Sequence, residues 1–103
     1  MDENILVDIQ VPAVSMRFDA SIPLYAPAAD ILRHLIDWIS QQMGLSLSDD
    51  GHFLCNARTG EILMGAECLY RSRILPGDHL ILFCEYPSGG LSSFKSPLGR
   101  III

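Results

Sequence analysis

Few side chains in this sequence are placed to do chemistry, and the most suggestive group is a pair of glycines. Gly89 and Gly90 follow an apolar run, His79-Leu80-Ile81-Leu82-Phe83-Cys84, and a short Glu85-Tyr86-Pro87-Ser88 link. Glycine has no Cβ, so its backbone can thread a narrow channel and its carbonyl stays open to attack. From Cys84 to Gly90 an extended chain reaches at most ~20 Å. A terminal Gly90 could therefore stand clear of a folded body. The competing reading is an ordinary Pro/Gly/Ser connector, because Gly-Gly pairs are common in loops.

The other reactive residue types do not assemble. Cys55, Cys68 and Cys84 lack the two-to-four-residue spacing of metal-ligand pairs, and His34, His52 and His79 do not cluster with them. No metal or other cofactor is implied. His79 and Cys84 fall on opposite parities of one run and point apart, so they make no nucleophile–base pair. Cys55 and Cys84 read as small buried apolar residues. Asp49-Asp50 sits in a turn signal, where capping is the expected role. With no coherent catalytic set, the sequence reads as non-enzymatic, with no small-molecule substrate.

Bulk properties narrow the class. At 103 residues there is room for one domain. Half of the residues are hydrophobic and the mean hydropathy is +0.31, as a globular chain requires. Net charge is −5, and Arg58, Arg71 and Arg73 form no basic stripe with interleaved aromatics, which argues against nucleic acid as a partner. No apolar run approaches ~18 residues. Met1-Asp2-Glu3-Asn4 lacks the basic-then-apolar order of a signal peptide, and three unpaired-looking cysteines suit a reducing compartment. A cytoplasmic location is expected.

Periodicity supplies the elements that would carry the glycine pair. Ile5, Val7, Ile9 and Val11 alternate with polar residues, and after Pro12-Ala13 so do Phe18, Ala20, Ile22 and Leu24. Two alternating runs joined by a short break predict an antiparallel hairpin. Pro27 to Met43 reads as a helix: Pro27 suits the first turn, Asp30 the positive end of the dipole, and Gly44 a left-handed stop. Ala28, Ile31, Leu32, Leu35, Ile36, Trp38, Ile39 and Met43 share one broad face that must lie on a sheet. His52–Asn56 and Glu61–Met64 read as short strands, Leu69-Tyr70 as a helical turn, and Asp78–Cys84 as the closing strand after the Pro76-Gly77-Asp78 turn. The order β-β-α-β-β-β predicts an α+β roll, with a mixed four- to five-stranded sheet packed on one helix. The first and closing strands are dense in apolar residues and are expected side by side, in parallel, at the centre. Residues 1–84 form the domain in this reading, and 85–103 an extended arm and tail.

That order resembles the ubiquitin-like β-grasp fold, and Ile74-Leu75-Pro76-Gly77-Asp78-His79-Leu80-Ile81-Leu82 looks like its last loop and strand. Gly65-Ala66-Glu67-Cys68 followed by the Gly77-Asp78 turn is similar to the YukD/EsaB group, small bacterial ubiquitin-like proteins linked to type VII secretion. The resemblance spans residues 4–84. Proteins of that group usually stop soon after the closing strand, whereas this chain runs on for nineteen residues.

The resemblance implies two ways of working. As a modifier precursor, the chain would be cut by a processing peptidase between Gly90 and Leu91 and joined to targets through Gly90 by an activating enzyme. Lys95 is its only lysine and would leave with the tail, so lysine-linked chains of the mature form would be impossible. As a secretion accessory, it would stay uncut and bind a secretion ATPase or a membrane component. Either way, the outward parity of the closing strand, His79, Ile81 and Phe83, with Leu54 beside it, is expected to form a protein-docking patch. The alternative is that Ile101-Ile102-Ile103 folds back and covers Ile81 and Phe83.

Overall fold

The computed structural model describes residues 4–44, 51–84 and 100–102. Strand β1 (Asn4–Val11) turns through a short 3-10 segment, Pro12–Val14, into β2 (Met16–Pro23). Ser15 closes that turn with a positive φ of 55°. The two strands pair antiparallel along their whole length, from Val11↔Met16 to Asn4↔Pro23. Helix α1 spans Ala28–Met43, with Pro27 as its N-cap residue. Gly44 ends it at φ 68°, its N–H donating to the Ser40 carbonyl, as the glycine's place in the sequence anticipates. Strands β3 (Phe53–Asn56), β4 (Ile62–Leu63) and β5 (His79–Phe83) follow, with a 3-10 turn at Leu69–Ser72.

The sheet order is β4-β3-β5-β1-β2-β6. The central pair, β1 and β5, is parallel, with Ile9 opposite Leu80. A parallel pair cannot be closed by a tight turn. The helix and the β3–β4 hairpin provide the crossover. Helix residues Ile31, Leu35 and Ile39 meet Val7, Ile9, Val11, Met16, Phe18, Ala20, Ile22, Leu80 and Leu82 in one buried cluster. Each fully buried branched side chain there contributes roughly 1.5–3 kcal/mol. Trp38 is half-buried at the rim of this core, its ring centroid 4.6 Å from that of Phe18.

One element lies beyond the expected set. Residues Arg100–Ile102 form β6, which pairs in parallel with β2 at the sheet edge. The sequence reading leaves everything after residue 84 as arm and tail, but this part of the tail belongs to the sheet. Ile101 lies in the core cluster. The sheet is therefore mixed and packed on one helix as expected, with a sixth strand added.

Candidate protein-docking face

The helix covers one side of the sheet. The other side is built by the opposite parity of each strand, and it divides into a polar and an apolar half.

The polar half lies over β1, β2 and the start of β5. Asp8 accepts hydrogen bonds from Arg17, whose Nε stands 3.0 Å from Oδ2. The ring of His79 sits between Asp8 and Gln10: Nδ1–H donates to Asp8 Oδ2 at 3.0 Å, and Nε2 lies 2.9 Å from the Gln10 side-chain amide oxygen. Hydrogen bonding from Arg17, with a smaller share from His79, holds the Asp8 carboxyl below its ordinary range. His79 thus points outward as expected, but its side chain is spoken for by β1. It braces the central parallel pair across Asp8↔His79.

The apolar half lies over β5, β3 and β4. Phe83 is 42% exposed and stacks on Phe53, with centroids 5.0 Å apart and planes 24° from parallel. Ile81 is half-buried opposite Cys55, and Cys55 stands opposite Ile62, which is 56% exposed. Ile81 and Phe83 are thus where the sequence places them. Leu54 is not: it is fully buried, opposite Leu82 and Leu63 on the helix side. The outward residues of β3 are Phe53 and Cys55, so Cys55 leaves the core role expected of it and Leu54 takes one. The reason is that Phe53-Leu54-Cys55 is apolar on both parities, so alternation cannot choose the face. The antiparallel register with β5 chooses it. Cys84 packs at the core margin, where burial pushes its thiol pKa up.

Covering of this patch by the chain's own end is not what is found at residues 100–102. β6 stands three strands away from β5, beyond β1 and β2. Gly89, Gly90 and Leu91 lie outside the described residues.

A second polar cluster, missed in the sequence, fixes the apolar half in place. Asp78 is 7% exposed and accepts from Arg58 Nε at 2.9 Å and Nη2 at 3.0 Å, from Asn56 Nδ2 at 3.1 Å and from the Leu75 N–H at 2.9 Å. Arg58 Nη2 also donates to the Arg73 carbonyl at 2.9 Å. The end of β3, the β3–β4 turn and the loop before β5 are thereby tied to one carboxylate. The Arg58 bonds, backed by the Leu75 N–H and the Asn56 amide, hold the Asp78 carboxyl down to about 2 against the cost of burial.

This depressed pKa makes an acid-sensitivity prediction. The group is ionised in the fold at pH values where the unfolded chain has begun to bind a proton. Its stabilisation is complete above about pH 4 and is lost as pH falls to about 2. Asp8, shifted in the same direction, adds to the effect. Urea unfolding at about pH 2 is expected to show up to about 2 kcal/mol less stability from Asp78 than at about pH 6. Asp78→Asn should flatten the profile between those limits. An unchanged profile in that variant would mean that other carboxylates carry the acid response.

Comparison with known proteins fits this geometry to a fold. No protein-family model matches the chain, and no curated protein matches it. Among solved structures, it is similar to the N-terminal ubiquitin-like domain in the 4931431F19Rik protein, with a TM-score of 0.66 and 17% identity over 90% of this chain and 86% of that one. It is similar to the ubiquitin of Caldiarchaeum subterraneum at TM-score 0.65 and 15% identity, covering 84% of this chain and 100% of that one. It is also similar, at TM-score 0.61 and 16% identity, to a chain of the MycP5-free ESX-5 inner membrane complex; 89% of this chain matches 23% of that one. The fold is the ubiquitin-like β-grasp.

Proposed function

We propose that this is a non-catalytic ubiquitin-like protein that other proteins grip by the open sheet face. We further propose that it is a bacterial modifier precursor, cut between Gly90 and Leu91 and joined to targets through the new carboxylate. The observation that carries the docking reading is the apolar half-face of Phe53, Cys55, Ile62, Ile81 and Phe83, set beside a polar half whose groups satisfy one another. Grouped exposed apolar side chains favour a protein partner over solvent. Support for the conjugation reading comes from Gly89 and Gly90, five and six residues past Cys84, a length of chain that spans at most ~20 Å if extended.

Expression beside the flanking genes, followed by intact mass measurement, tests it. Loss of Leu91–Ile103, abolished by Gly90→Ala, is the expected result. A chain that stays whole overturns the modifier reading. One observation favours a second reading, an uncut interaction component of a type VII secretion system: the similarity to part of an ESX-5 inner membrane complex chain. Under that reading the whole chain co-purifies with a secretion ATPase or membrane component, and Phe83→Asp releases it.

A further inference from the structure

β2 is eight residues long and, without β6, would be the outermost strand of the sheet. A long bare edge is a template for another strand. Here the chain's own end occupies it, in parallel, with Asp19 opposite Arg100, Ala20 opposite Ile101 and Ser21 opposite Ile102. Ile101 is 7% exposed and sits in the core cluster beside Ala20, which is fully buried. The small alanine leaves the space that a branched side chain fills. Residues 85–99 separate β6 from the rest of the described domain along the chain. Among the described residues, three residue pairs and the buried Ile101 side chain hold β6 on β2, a short pairing that another strand could replace. Charge agrees with the placement: residues 91–103 carry +2 in a chain of net charge −5, leaving −7 on residues 1–90.

We propose that the β2 edge is a docking site for an extended peptide strand of basic-then-branched-aliphatic character, and that β6 occupies it as a built-in competitor. The partner segment would run parallel to β2, place an isoleucine or valine against Ala20, and carry a lysine or arginine just before it, at the Asp19 position. A tethered strand acts at an effective concentration in the millimolar range, so the intact chain is closed to weak competitors. Where the chain is cut after Gly90, the same cut removes the competitor. That link rests on the modifier reading; the edge site itself does not.

The test uses the full chain and a fluorescent synthetic peptide of residues 95–103. Full-length Ile101→Asp is expected to bind the peptide at least ~10-fold more tightly than the wild-type chain. Amide shifts should concentrate on residues 16–23, and a peptide carrying the same Ile101→Asp change should not bind. Equal affinity for the two chains, or shifts confined to other strands, overturns the proposal. If Ile101→Asp fails to fold by circular dichroism, the wild-type chain titrated with millimolar peptide decides: shifts along β2 support the site, and their absence overturns it. Gly90→Ala should leave every one of these results unchanged, which separates this site from processing.

Discussion

Asp78→Ala is expected to destabilise the domain by about 3 kcal/mol, because it removes one partner from a buried, charge-assisted cluster and leaves the others unmatched. The Asn56 side-chain amide and the Leu75 N–H lose their acceptor, and Arg58 loses both of its carboxylate contacts. At ~4–8 °C per kcal/mol for a chain of this size, Tm should fall by more than about 12 °C. Arg58→Ala should cost less, since the guanidinium side chain is 45% exposed and water can replace part of what it loses. The double variant should be less destabilised than the two single changes would add up to, because the members of one hydrogen-bonded cluster are coupled. A Tm change of under about 2 °C in Asp78→Ala would show that the cluster is not a structural anchor. The consequence for function is positional. Asp78 fastens the β3–β4 turn to the start of β5, so loosening it should disorder the Phe53–Phe83 stack before it disturbs the β1–β2 hairpin.

What could be read from the sequence follows from which interactions are local. β1, β2 and α1 have one apolar and one polar side, so period alone gives their type, their buried face and nearly their ends. β5 is apolar on both parities, and its dense apolar run and Pro-Gly-Asp lead-in are what make it legible. Three features were not. The buried facing of Leu54 on β3 has no sequence cue, because a short strand that is apolar on both sides carries no parity signal. Asp78 reads in the sequence only as the end of a turn that feeds β5, with no sign of its partners. Its true surroundings come from Arg58 and Asn56, some twenty residues earlier, and only the pairing of β3 with β5 brings them together. The isoleucine run at the end stood out as apolar, but its place on β2 is a long-range choice with no local cue.

The two proposed binding regions lie on different parts of one sheet. The apolar half-face is centred on β5 and β3, and the peptide edge is on β2. The polar cluster of Asp8, Arg17, Gln10 and His79 separates them. A partner gripping Phe83 therefore need not disturb β6, and a strand exchanging with β6 need not disturb Phe83. A modifier of this design would present the same docking face before and after processing, while its β2 edge would open only afterwards.

Leu54→Ala and Phe83→Ala separate core from docking face, although both residues belong to the strand pair β3–β5. Leu54 is fully buried between Leu63 and Leu82, so truncation should cost about 2–5 kcal/mol, the spread reflecting how far the cavity can collapse. Phe83 is exposed over much of its surface and should cost only about 0.5–1.5 kcal/mol, chiefly from the lost stacking on Phe53. Urea unfolding of the two variants measures the contrast, and an amide spectrum of Phe83→Ala should retain the wild-type pattern outside β3 and β5. A cost below about 1 kcal/mol for Leu54→Ala would place that side chain back on the open face. The docking surface would then have to be redrawn around Leu54 in place of Phe53 and Cys55.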